Sequence, residues 1–321
     1  MASVTPAQMR WHMKRALRHP EADIRPADPS DGRLWKPVYG AWLAEVAQRT
    51  GSRRTPEEYG RYMARFIDGR ASPGHMNPAH VHAFAYETGP SGREPSPSTV
   101  IVRLAAISSF YNFARRMGLV KSNPADDVKR PKARQPAPRG LELEELRRLL
   151  DGIPDTPGGK RDRAIILTAV LAGLRRREIL SLRAEDLTRN GAVYYTVRVK
   201  GGQERRRELP APAFNAIVDA LEAQGRPLEG LDPQDRIFDI AHQTYYAYLR
   251  KHARRAGLAG LKPHDLRNTA AKLRRNNGAS IEDISAFLGH RNIATTATYL
   301  ARMEGEDDNG WQQVADALGV A

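Results

Sequence analysis

Between Leu34 and Val128 the apolar positions recur every three or four residues, the period of helices that bury one face. Four helices are read there. The first runs from Trp35 to Val46, and the second opens at Thr55-Pro56-Glu57-Glu58 and continues through Tyr59, Tyr62, Met63 and Phe66. The third runs from Asn77-Pro78 to about Tyr86 and the fourth from Ser98 to Met117. Thr55 is read as a cap, with Pro56 at the first helical position, where a missing N–H costs nothing. Ahead of this block, residues 1–33 are read as an extension: a short basic helix with Arg10, Lys14, Arg15 and Arg18, then a turn-rich stretch with Pro20, Pro26 and Pro29.

The pattern breaks at Lys129 to Arg139, K-R-P-K-A-R-Q-P-A-P-R, where three prolines among basic residues can neither continue a helix nor be buried. This is the expected interdomain linker. Beyond it the helical period returns at Glu142 to Leu150 and Arg161 to Leu171. Strict alternation follows at Val193 to Val199, with a Lys200-Gly201-Gly202 turn and a return at Arg205 to Leu209, which predicts a β-hairpin with Lys200 at its tip. Ser280 and Asp283 suit a capping box for a helix whose Ile281, Ile284, Phe287 and Leu288 face inward, and Gly289 stops it. At the end, Trp311, Val314, Ala315 and Leu318 form one apolar stripe after the acidic run E-G-E-D-D. The expected fold is therefore mainly α with a small β-hairpin or sheet. Its regions are an extension over 1–33, a helical domain over 34–128, a linker over 129–139, a second domain over 140–303 and a tail over 304–321.

Charge adds a partner to this picture. The 321 residues hold 51 Lys and Arg against 37 Asp and Glu, a formal net charge of +14. Residues 1–139 carry 23 basic and 12 acidic residues, net +11, and residues 140–321 carry 28 and 25, net +3. Such a surface favours a polyanion through attraction and the release of condensed counterions, and the competing reading is a merely soluble basic protein. Arg53, Arg54, Arg61, Arg65, Arg103, Lys129, Arg130, Lys132 and Arg205 are the candidates for phosphate contact, although a basic residue on a helix is usually just solvated. Cysteine is absent, which excludes disulfides, thiolate-bound zinc and thiol catalysis. The longest apolar run, Ala164 to Gly173, is too short to span a bilayer, so a soluble cytoplasmic protein is expected.

The candidates for chemistry gain weight from their order. Arg175 stands in G-L-R-R-R-E, Lys200 in the expected hairpin, His264 and Arg267 three apart in H-D-L-R, His290 in L-G-H, and Tyr299 nine residues further on. Each alone has a bland explanation. Together they suit one phosphodiester: guanidinium forks match the non-bridging oxygens, and the remaining groups handle protons around a phenol. No helical His-His spacing supports a metal site.

In this order and spacing the chain resembles the tyrosine recombinase family, the phage integrases and Xer-type site-specific recombinases, over roughly residues 34–303. The resemblance implies a helical core-binding domain and an α+β catalytic domain. It makes Arg175, Lys200, His264, Arg267, His290 and Tyr299 the catalytic set, with Glu178 supporting Arg175. It implies cutting and rejoining of double-stranded DNA through a 3′-phosphotyrosyl bond on Tyr299 without metal or nucleotide cofactor. It also implies a homotetramer on two recombination sites, a monomer or weak oligomer without DNA, and a tail that docks on a neighbouring subunit or on its own domain. The return after Lys200 is longer than usual for the family, and Asn268 stands where a second histidine is frequent. With only residues 1–33 ahead of the bundle, an Xer-like or short-integrase architecture is expected. A type IB topoisomerase would use the same chemistry without strand exchange, and a DNA-binding architectural or regulatory protein would keep the fold without the reaction.

Overall fold

The aromatic side chains of the first helical block converge on Phe110, whose ring centroid lies 5.2 Å from Tyr39, 5.4 Å from Trp42 and 6.2 Å from Trp35. In the computed structural model this cluster is the core of the first of two units, Met1–Gln135 and Pro136–Ala321. The described residues are all but 1–4, 20–22, 29, 71, 90–91, 133–137, 199–203, 291, 295, 298–299 and 301–321. Five helices build the first unit: α1 (Pro6–Arg18), α2 (Lys36–Thr50), α3 (Arg54–Ile67), α4 (Pro78–Tyr86) and α5 (Pro97–Arg116). Asn77 caps α4, its side chain accepting from the His80 N–H at 3.1 Å. The N-cap position of α3 is Arg53 rather than Thr55, and the Ser52 hydroxyl just before it accepts from the Arg54 and Thr55 N–H groups at 3.2 and 3.4 Å.

The reading of residues 1–33 as an extension needs correction. Met9 on α1 is 1 % exposed and belongs to the same core as Trp42 and Phe110. Helix α1 closes on α2 at Gly40, where a Cβ would lie 2.5 Å from the carbonyl carbon of His12. Its basic residues hid this role, because a single buried methionine leaves little apolar periodicity to detect.

The second unit contains α6 (Leu143–Asp151), α7 (Pro157–Leu171), α8 (Arg176–Ser181), the strands β1 (Leu187–Asn190), β2 (Ala192–Arg198) and β3 (Glu204–Glu208), then α9 (Ala211–Ala223), α10 (His242–Arg255), α11 (Pro263–Asn276) and α12 (Ile281–Leu288). The expected hairpin is part of a three-stranded antiparallel sheet in the order β1-β2-β3. Strand β1 escaped notice because L-T-R-N offers one apolar residue and lies mostly exposed. Helix α7 runs through the core with Ala164, Ile165 and Ile166 fully buried. A buried hydrogen bond holds it to α10: His252 Nε2 lies 2.9 Å from Asp162 Oδ2, and Arg161 donates to the other carboxylate oxygen at 2.8 Å. Thr269 on α11 receives the backbone N–H of Leu141 at 2.9 Å, fixing the start of the unit against the helix that carries His264 and Arg267.

Gly40→Ala is expected to destabilise the first unit by about 1–3 kcal/mol, because the added methyl forces α1 and α2 apart. Chemical denaturation monitored by tryptophan fluorescence checks this, and an unchanged midpoint contradicts it.

Candidate active site

Two helix ends and one turn bring the proposed phosphate-binding residues together in the second unit. At the end of α7, Gly173 takes a left-handed backbone (φ 64°) that turns the chain toward Arg175, and the Phe287 ring fills the space a Cβ would need, 2.4 Å from where it would sit. Arg175 then caps α8: its N–H donates to Glu178 Oε2 at 2.7 Å and its Nη1 to Glu178 Oε1 at 2.8 Å. Glu178, which the sequence paired with Arg175, therefore fixes both the backbone and the guanidinium.

Helix α11 opens at Pro263, and Asp265 receives the Lys262 N–H at 2.8 Å. His264 follows the proline at the exposed rim, while Arg267, one turn on, is 4 % exposed. Arg267 donates Nη1 to the Gly173 carbonyl and Nη2 to the Leu288 carbonyl. Among the described residues no carboxylate lies within ion-pair distance of it. Burial first, then the charge of Arg175, lowers its pKa to about 10, so it remains protonated at neutral pH.

Helix α12 ends at Gly289, left-handed at φ 67°, and His290 follows with its N–H bonded to the Ser285 carbonyl at 3.0 Å. Its Nδ1 lies 2.8 Å from Oγ1 of Thr296, which is fully buried. Desolvation first, then Arg267, Arg175 and His264, push the His290 pKa down to about 4. The His264 pKa is lowered by desolvation and by Arg267 and Arg175, against an opposing pull from Asp265. Both imidazoles thus share one cationic environment that favours their neutral forms. Lys200 and Tyr299 lie outside the described residues.

Most other candidates belong to the first unit. Arg53, Arg54, Lys129, Arg130 and Lys132 are exposed on the first unit. Arg61 pairs with Glu58 at 3.4 Å and Arg65 with Glu87 at 3.5 Å, both partly solvated. Arg103 is corrected: it is 2 % exposed and its Nη1 donates to the carbonyls of Phe84, Ala85 and Glu87 at 3.1, 3.1 and 2.6 Å, capping the end of α4. Its charge serves the interior. Arg205 is half-buried and donates to the Ala286 carbonyl at 2.9 Å, so it is tied to α12. Sequence reasoning missed Arg207, which bonds the carbonyls of Ala286 and Phe287. A signal existed: Arg205 and Arg207 alternate with exposed residues on β3 and so occupy positions that should face the core.

Two arginines and two imidazoles held toward their neutral forms in one coupled set suit a phosphodiester. Residues 139–306 match the Phage integrase family, just over half of the chain. The chain belongs to that family. A tyrosine recombinase XerC from Caldanaerobacter subterraneus is 33 % identical over 217 residues, covering 64 % of this chain and 60 % of that protein. A XerC from Roseiflexus sp. is 31 % identical over 220 residues, covering 64 % and 69 %. The integrase chain also shares the fold of a lambda integrase tetramer bound to a Holliday junction, with a TM-score of 0.65, 17 % identity and coverage of 85 % and 78 %. A XerH site-specific recombinase bound to its difH substrate gives a TM-score of 0.60 at 17 % identity, covering 99 % of this chain and 98 % of that one. The two-domain architecture and mainly helical fold expected from the sequence are those of this family. Among the described residues no cluster of three or more His, Asp or Glu could hold a metal ion, and no helix is long and apolar enough to cross a membrane.

The low His290 pKa has a sign that can be tested. The unfolded imidazole, near its ordinary 6.5, binds a proton that the folded one refuses until about 4, so falling pH costs stability across that window. Thermal melts of His290→Gln are expected to lose less Tm between pH 6.5 and 4 than those of the parent protein, and parallel curves refute the assignment.

Proposed function

We propose that this integrase-family chain is a site-specific DNA recombinase that cuts and rejoins double-stranded DNA through a 3′-phosphotyrosyl bond on Tyr299. What supports this reading is the electrostatic coupling of His264 and His290 with Arg175 and Arg267, beside the bonds that fix both arginines. The Tyr299 phenol oxygen forms a bond to phosphorus, the bond from phosphorus to the 5′-oxygen breaks, and the phenol proton passes to His264. A lowered pKa keeps His264 free to take it. Arg175 and Arg267 hold the non-bridging oxygens, both preset by hydrogen bonds that use only part of each guanidinium. If the Thr296 hydroxyl donates to His290 Nδ1, the ring proton sits on Nε2, ready to donate to the phosphate. Lys200 protonates the leaving 5′-oxygen. Attack by a partner strand's 5′-hydroxyl reverses these steps, and because the phosphotyrosyl link conserves the phosphodiester energy, no nucleotide is consumed.

The assembly follows from the same reading. The lambda integrase relative is a tetramer on a Holliday junction, and a homotetramer on two sites is proposed for this chain, with the first unit and residues 129–139 on the DNA backbone. The apolar stripe of Trp311, Val314, Ala315 and Leu318 is proposed to dock either on a neighbouring subunit or on its own domain.

Tyr299→Phe is expected to abolish the covalent protein–DNA adduct on a nicked suicide substrate, and a persisting adduct refutes the nucleophile. Lys200→Ala should recover cleavage on a substrate with sulfur at the bridging 5′ position, since thiolate leaves without an acid. Arg267→Ala should cost about 3 kcal/mol in the transition state, roughly a hundredfold in single-turnover rate.

A further inference from the structure

Strand β3 breaks the rule that inward-facing strand positions are apolar. Arg205 is registered opposite Val197 and Arg207 opposite Tyr195, two buried residues of β2. Directly opposed residues of antiparallel strands project to the same face. Both arginines therefore point to the side where the core lies, while Arg206 packs over the Tyr194 ring on the other face, 4.0 Å from its centroid. Burying a guanidinium without a partner costs several kcal/mol, so the inward face must meet acceptors.

The acceptors are the last carbonyls of α12. Arg207 donates Nη2 to the Ala286 carbonyl and Nη1 to that of Phe287, and Arg205 Nη2 shares the Ala286 carbonyl at 2.9 Å. The Arg205 guanidinium also overlies Gly289, filling the space where a Cβ would project. Arg267 closes the set on the Leu288 carbonyl. Three successive carbonyls at the negative end of one helix are thus held by three guanidiniums, two of them from the sheet.

We propose that Arg207, seconded by Arg205, is a positioning residue: it staples the sheet to the end of α12 and so sets His290 relative to Arg267. The inference rests on the proposed role of His290 in cleavage. It assigns Arg205 a task inside the protein rather than a phosphate contact. The fork is needed because one guanidinium spans two adjacent carbonyls at a fixed angle, which lysine cannot do. Misplacement by an ångström or so at a reacting centre is enough to slow the chemistry strongly.

The test compares Arg207→Gln, Arg207→Lys, Arg205→Gln and His290→Ala in single-turnover cleavage of a suicide substrate at saturating DNA, with Kd measured across a salt series. Arg207→Gln is expected to slow cleavage by about ten- to a hundredfold while leaving Kd and its salt slope unchanged. Arg207→Lys should recover part of the loss, and Arg205→Gln should show a smaller defect of the same kind. A salt slope shallower by about one for either glutamine variant marks a phosphate contact and overturns the proposal. So does an unchanged cleavage rate in Arg207→Gln while His290→Ala is slow. If His290→Ala itself cleaves normally, the reading of the active site has failed instead. Should Arg207→Gln prove unfolded by its thermal melt, Arg205→Gln decides on the same criteria.

Discussion

Arg267 is a charge buried at 4 % exposure among backbone carbonyls, with no ion-pair partner among the described residues. That condition constrains the rest of the second unit. A guanidinium can stay charged in the interior only where acceptors have been fixed in advance, and here they come from two chain reversals, the Gly173 turn and the end of α12. Both reversals use a left-handed glycine, and the Phe287 ring sits directly against Gly173. The Arg274 guanidinium lies over that ring, 3.6 Å from its centroid. Moving any one of these parts would strand Arg267, so the loop leading to Arg175 and the loop leading to His290 are bound into a single body.

The concentration of positive charge has a second consequence. Burial, and then the charges of Arg267 and Arg175, lower the proton affinity of His264 and His290, and burial with the charges of Arg175 and Arg205 lowers that of Arg267, so the site favours neutral histidines beside fixed cations. A folded protein gains nothing from assembling like charges. Their assembly is intelligible when an anion is to be held there, and the cost is carried by helix-end carbonyls and by Glu178 until it arrives.

The first unit uses arginine differently. Arg103 spends its charge on the carbonyls ending α4 and lies over the Phe84 ring, 5.5 Å from its centroid. Arg65 and Arg70 lie over the same ring and share Glu87. Basic residues in this unit thus divide into an exposed set, from Arg53 to Lys132, and an internal set that closes helix ends. Their residue type is identical, and only their position on the helix and the partner facing it decides between the two.

The sequence by itself determined what depends on neighbours along the chain. The three-residue spacing of His264 and Arg267, the stop at Gly289 and most helices follow from local periodicity and capping, and the pairing of Arg175 with Glu178 from the family resemblance. The order of Arg175, Lys200, His264, Arg267, His290 and Tyr299 pointed to the family without any coordinates. What only the tertiary structure decided involves partners distant in sequence. Whether Arg103 faces solvent depends on the end of α4, whether Arg205 meets phosphate or a carbonyl depends on α12, and whether α1 is an extension depends on the contact of Gly40 with His12. The strand β1 forms because β2 offers it a hydrogen-bonding edge, not because its own residues favour it. A guanidinium binds a phosphate oxygen and a helix carbonyl by the same geometry, so composition cannot separate them, and the fold settles the choice by what it brings within reach.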